Sequence, residues 1–220
     1  MASTSRKKVE PTAPETEVAQ VAISQIDVEH LAVPIVGTAP LIVHRFSEKA
    51  KRQMLDAMQG RKTPKEPKNP EAEYEAAFYR LKDGRYGFPV AGFKQATVGA
   101  ARFYGKDVSM TALKQSLFMK GEPGTDGVSL TAIEGDEPIM REDVVRLGRN
   151  GTDLRYRPQF TEWHARLEVV YVKSALTQNS VLSLIEAGGM GVGIGEWRPE
   201  RDGDFGTYEV DRTRDLEVLG

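Results

Sequence analysis

The feature that most constrains the fold is the run of alternating apolar residues between Trp163 and Leu176. Ala165, Leu167, Val169 and Tyr171 fall on one face and Glu168, Val170 and Val172 on the other, which is the two-residue period of a β-strand. At fourteen residues the run exceeds the usual strand of about five or six. It therefore belongs in the middle of a sheet.

The segments around it supply partners. Ile26, Val28, Leu31, Val33 and Ile35 alternate with a slip near Glu29 and His30, the pattern of a strand carrying a bulge, and Pro40 to Phe46 reads as a short buried extension of it. Ser47 is an N-cap for a helix over EKAKRQMLDAMQG, with Met54, Leu55 and Met58 on one face and Gly60 ending it. Glu71 to Leu81 reads as a short helix running into a hairpin that turns at Asp83 and Gly84. AGFKQATVGAARFYG is a helix of small residues able to approach a sheet closely, and Ser109 caps another over MTALKQSLFM. Val128 to Ile133 and Ile139 to Leu147 are extended. Thr177 and Asn179 cap a helix over SVLSLIEAG, and Thr207 to Val210 is a closing strand. This order gives an α+β fold: a ferredoxin-like antiparallel sheet with helices on one face, plus inserted loops. Residues 1–20 offer almost nothing to bury and are expected to form a disordered tail. Residues 21–220 form a single domain, with 61–70, three prolines and four bases in ten residues, as a flexible basic loop.

Composition excludes several chemistries. With no cysteine, disulfide scaffolds, thiolate zinc sites and thiol catalysis are out, and three histidines leave little for a metal site. The longest uncharged apolar run, Leu31 to Val43, is interrupted by Pro34, Gly37 and Pro40 and falls short of the roughly 20 residues that cross a bilayer. No cofactor and no membrane partner are expected, and the protein reads as soluble and cytoplasmic. The net charge of −2 conceals an asymmetry, with 17 bases and 13 acids in residues 1–110 against 13 and 19 in residues 111–220. A local basic surface still attracts phosphate, because salt confines electrostatics to about 10 Å.

Three patches suit such a partner. Arg45 to Lys68 holds eight bases (Arg45, Lys49, Lys51, Arg52, Arg61, Lys62, Lys65, Lys68) against three acids. LRYRPQFTEW interleaves Arg155 and Arg157 with Tyr156, Phe160 and Trp163, and bases alternating with aromatic rings provide both phosphate contact and base stacking; the alternative is that the rings are core, which Trp163, at the head of the long strand, favours. The third is Gly188 to Gly195, five glycines in eight residues before Trp197, Arg198 and Arg201. That density asks for positive φ or close backbone approach. It is neither a Walker loop nor a Rossmann turn, since no Gly-Lys-Ser/Thr follows and it leads from helix to strand. A glycine C-cap and hairpin is the bland reading, and Arg198 and Arg201 have rival partners in Glu196, Glu200, Asp202 and Asp204. Those acids could also hold magnesium, although acids around glycines are usually turn chemistry.

The helix, glycine loop and strand in GGMGVGIGEWRPERDGDFGTYEV resemble the C-terminal glycine-rich loop of the repeat-associated (RAMP) proteins of CRISPR systems, the Cas5, Cas6 and Cas7 families. FPVAGFKQATVGAAR is similar to the segment in those proteins where a strand turns into a small-residue helix. The resemblance, which also extends to phage-encoded relatives, implies an RNA-recognition-motif-like fold, single-stranded RNA or DNA as ligand, and Cas7-like stacking of copies into a homo-oligomer or filament. It adds Gly191, Gly193, Gly195, Lys94 and Arg102 to the candidate contacts. The expected function is thus non-catalytic binding of a single strand. The alternatives are a Cas6-like metal-independent endoribonuclease using His44, since a histidine near neutral pKa can move a 2′-hydroxyl proton, and a phage assembly subunit or single-strand annealing protein.

Overall fold

In the computed structural model, which describes residues 23–61, 67–147 and 151–219, the alternation that begins at Trp163 is a long antiparallel strand at the centre of an α+β structure. In chain order the elements are β1 (Val28–Gly37), β2 (Leu41–Ile42), α1 (Glu48–Met58), α2 (Pro70–Ala76), β3 (Tyr79–Arg80), β4 (Tyr86–Pro89), α3 (Val90–Gly99), α4 (Met110–Ser116), β5 (Leu117–Lys120), β6 (Glu122–Pro123), β7 (Ser129–Gly135), β8 (Ile139–Leu147), β9 (Gly151–Phe160), β10 (Trp163–Val172), α5 (Gln178–Gly191), β11 (Tyr208–Val210) and β12 (Glu217–Leu219). Short 3-10 turns occupy Ala100–Tyr104 and Pro199–Arg201. The expected tail at 1–20, with Lys62 and Lys65, lies outside the described residues.

Among the described residues the large sheet has nine strands, with the path β11-β1-β10-β7-β4-β3 and with β12 on β1, β5 on β10 and β6 on β7. A second sheet, β2-β9-β8, stands beside it. The core-facing side of β10, namely Trp163, Ala165, Leu167, Val169 and Tyr171, packs with Leu31, Val33 and Ile35 of β1 and with Phe93, Ala96, Val181 and Ile185 of α3 and α5. The helix caps at Ser47, Ser109 and Thr177 each accept a hydrogen bond from the backbone N–H three residues on, as their side chains suggest.

Several expectations are corrected. The β1–β10 register is unbroken from Val28 opposite Val172 to Val36 opposite His164, with no bulge at Glu29 and His30. Glu29 occupies a core-face position, and its carboxylate accepts from the Tyr171 hydroxyl. A satisfied acid in the alternation mimics a slip. Helix α4 stops at Ser116 because Leu117 pairs with Tyr171 and is buried as part of β5. Leu41 and Ile42 are buried as expected but join β9 in the second sheet rather than extending β1. Among the described residues the apolar face of α1 is not buried: Met54, Leu55 and Met58 are all exposed.

The glycine segment is also different. Helix α5 does not end at Gly188 but runs on through Gly191, although glycine weakens a helix by about 1 kcal/mol relative to alanine. The reason is contact. A Cβ on Gly188 would stand 2.7 Å from the Ala96 backbone of α3, and one on Gly189 would stand 2.1 Å from the Tyr208 carbonyl oxygen of β11. The two glycines let α5 lie against both. We expect Gly189→Ala to destabilise the fold by about 1–3 kcal/mol through overpacking, read as a lowered urea midpoint. Gly191→Ala meets only the exposed ring of Phe103, which can swing aside, so its midpoint should move much less. Equal shifts would contradict this account of the helix.

Candidate nucleic-acid interface

The second sheet places the charges. Arg157 on β9 lies opposite Arg141 on β8, and like charges across a strand pair repel. Asp143 resolves the conflict, accepting from Arg157 Nη2 at 2.6 Å and from Arg141 Nε at 2.7 Å. Arg157 Nη1 donates to Glu196 Oε2 at 3.1 Å, and both guanidinium groups lie 4.9 Å from the Trp197 ring. Trp197 itself has φ 51°, a backbone that such a side chain adopts only when held; its carbonyl accepts from Phe205 N at 3.0 Å.

This arrangement corrects three expected surface contacts. Arg157 has 0% exposure and both terminal nitrogens committed to carboxylates. Phe160 is likewise in the core. The Trp197 ring is half-buried, with the two guanidinium groups 4.9 Å and the Phe205 ring 6.0 Å from it. Arg198 is also engaged: Nε and Nη2 donate to Glu200 at 3.2 and 2.9 Å and Nη1 to the Gly195 carbonyl at 3.1 Å, so its rival partner prevails and it clips the turn shut. Gly193 and Gly195, at φ 68° and 76°, make that turn possible. Glu196 N donates to the Ile42 carbonyl at 2.9 Å, which fixes the turn against β2.

Two clefts meet at His44, the residue that follows the buried Leu41 to Val43 run. One, of about 240 Å³, is lined by Tyr79, Gln95, Gly193, Gly195, Glu196 and Arg198 among others. The other, of about 330 Å³, brings together Arg45, Phe46, Lys49, Lys68, Glu73, Asp153, Arg155 and Tyr156. A larger hollow of about 490 Å³ beside α4 and α5 shares no residue with either. In the second cleft Lys68 Nζ lies 2.5 Å from Asp153 and 3.7 Å from Glu73, Arg155 lies 3.9 Å from Asp153, and Arg45 reaches Asp126 at 3.4 Å. Phe46, expected to be buried, is 60% exposed and stacks beside His44 with ring centroids 6.0 Å apart.

His44 Nδ1 is 3.9 Å from Glu196 Oε1. Burial pushes the imidazole below its ordinary 6.5; Glu196 opposes this, while Arg155 and Arg157 reinforce it. The ring is therefore neutral at pH 7.

The remaining candidates lie elsewhere. Lys94 donates to the Lys114 carbonyl at 3.1 Å and sits 4.7 Å from the Phe118 ring. Arg102 is exposed, 3.7 Å from Glu200. Arg52, Arg61 and Arg201 are exposed and line neither cleft, and Gly191 faces Phe103. Glu196, Glu200, Asp202 and Asp204 do not converge on a cation: among the described residues no group of three or more such side chains is placed to hold one. No described helix is long and apolar enough to cross a membrane. Sequence reasoning missed Tyr79 and Gln95, which no local motif distinguishes from a hairpin aromatic and a helix-surface amide.

No family model and no curated protein matches the chain. Among solved structures it is similar to the crystal structure of Cmr6 from Pyrococcus furiosus, with 9% identity and a TM-score of 0.44 over 85% of this chain and 100% of that one.

Two outcomes follow from the site's electrostatics. Arg157→Ala leaves the buried Asp143 without its closest partner and should cost about 3–5 kcal/mol, whereas Arg157→Met, which removes the charge but fills the space, should cost less. For His44, the unfolded imidazole takes up a proton near pH 6.5 and the folded one only at lower pH. Between those values the unfolded state binds more protons, so stability is complete above about pH 6.5 and falls as the pH drops through the window. His44→Gln should flatten that limb of a stability-against-pH curve; an unchanged limb would contradict the assignment.

Proposed function

We propose that the protein binds a single strand of RNA or DNA without chemistry, along the groove centred on His44, and that its core is ferredoxin-like. The fold reading is supported by the strand order β11-β1-β10-β7, with α3 between β1 and β7 and α5 between β10 and β11 in the chain, which is the βαββαβ order of that fold. The binding reading is carried by one observation. Segments around residues 45, 68 and 155, far apart in sequence, converge on a cleft with four bases (Arg45, Lys49, Lys68, Arg155), two acids (Glu73, Asp153) and the rings of Phe46 and Tyr156. Bases beside accessible rings are what a flexible strand needs, phosphate contacts for its backbone and stacking for its bases. A phosphate entering here takes the place of Asp153 beside Lys68 and Arg155. Copies set side by side along one strand belong to the same reading.

The test is fluorescence anisotropy on a labelled oligonucleotide over a salt series. Wild-type protein should bind, and Lys49→Ala with Arg155→Ala should weaken binding at least tenfold at low salt while lowering the slope of log affinity against log salt by about 1.4, roughly 0.7 for each lost phosphate contact. Absence of binding at low salt would overturn the proposal.

A second reading is favoured by the neutral His44 beside Glu196: the imidazole could accept a 2′-hydroxyl proton, making the protein a metal-independent endoribonuclease. That reading expects RNA, and not DNA, to be cut in chelator and the activity to be lost in His44→Ala. Intact RNA after prolonged incubation removes it.

A further inference from the structure

The cleft of about 240 Å³ on the glycine side of His44 differs in kind from its basic neighbour. Its floor is apolar, with Phe88, Ala96, Val192 and Ile194 all buried, and its size falls just under the roughly 300 Å³ at which pockets for drug-sized ligands begin. It has room for one planar group. The two carboxylates on its wall are not equivalent. Glu200 is spent on Arg198 at 2.9 Å and Arg102 at 3.7 Å. Glu196 gives Oε2 to Arg157, but the nearest group to its Oε1 is His44 Nδ1 at 3.9 Å, beyond hydrogen-bond reach. One wall therefore presents a fixed carboxylate oxygen with unused lone pairs, and the exposed amide of Gln95 lies on the rim.

We infer that this cleft reads a base, taking one guanine turned out of the bound strand. This rests on the strand-binding proposal above. An unstacked base offers its Watson–Crick edge to the protein. Guanine alone carries two adjacent donors there, N1–H and the N2 amino group, which the two unused lone pairs of Glu196 Oε1 accept together, while its O6 accepts from an amide such as Gln95. Uracil and thymine place carbonyl oxygens on both sides of their single N–H and meet the Glu196 carboxylate with repulsion. Adenine and cytosine have one amino group beside a ring-nitrogen acceptor. Bonds to an ionised acceptor are about twice as strong as neutral ones, so the fixed carboxylate dominates the choice. Tyr79 and His44, which also line the cleft, supply rings to the base.

The experiment uses the full chain and a set of uridine oligonucleotides, each carrying one central guanosine, inosine, adenosine or cytidine, against the all-uridine strand. The single-guanosine strand should bind about tenfold tighter than the all-uridine strand. Inosine, which lacks the N2 amino group, should fall between them. On Glu196→Gln the guanosine and uridine strands should bind alike. Gln95→Ala, which leaves the Arg157 pair untouched, should reduce the preference in a protein whose folding is intact. Equal affinity for all strands, or preference for another base, overturns the guanine pocket while strand binding stands. Failure of every strand to bind overturns strand binding itself and the pocket with it.

Discussion

A guanidinium group shut away from water must be surrounded by acceptors, because an unpaired buried charge costs several kcal/mol. Arg157 meets that demand at its two terminal nitrogens by drawing on two parts of the chain at once, Asp143 from its own hairpin and Glu196 from the turn after α5, while its Nε has no hydrogen-bond partner among the described residues. The pairing ties the small sheet to the glycine segment and stacks Trp197 on the same group. It also fixes Glu196, the carboxylate that lines one cleft and stands beside the histidine shared by both. The position of this carboxylate is therefore set from beneath, by a residue with no exposed surface.

Packing sets the other wall. Helix α5 approaches α3 and β11 because Gly188 and Gly189 have no side chains to hold them apart. The chain then leaves the helix at Gly191 and reverses through Gly193 and Gly195, where the Ile42 carbonyl would lie 2.5 Å from a Cβ on Gly195. Glycine thus does two jobs in one short stretch: close helix packing in its first half and a tight turn against β2 in its second. The basic wall comes from residues whose segments meet only in the folded chain, which explains how a protein of net charge −2 presents four bases to one cleft.

Much of the scaffold was legible. The period of two in β10, the capping residues Ser47, Ser109 and Thr177, and the turn at Asp83 and Gly84 are local signals, and local structure follows them. The long-range features were not legible. Strand β9 escaped notice because Arg157 takes a core position, and hydropathy counts a buried arginine as surface. For the same reason Arg157 and Phe160 looked like strand contacts. Trp197 and Arg198 have the chemistry of a nucleic-acid surface; Glu200 stood in the sequence as a rival partner for Arg198 and takes it, but Arg141 over Trp197 becomes visible only when the turn is folded. Glu29 disguised the regular pairing of β1. The basic cleft was half visible: Arg45, Lys49, Lys68 and Arg155 could be named, but not that they would meet.

The central claim is that a strand lies across His44, with phosphates on the basic side. It is tested most directly by irradiating the protein with a bound single strand and mapping the cross-linked peptides by mass spectrometry. The account predicts adducts on the rings that line the groove, exposed Phe46 and half-buried Tyr79 and Tyr156, with none on Trp197 or Phe160. Adducts confined to other surfaces, such as Phe103 or Phe118, would contradict it.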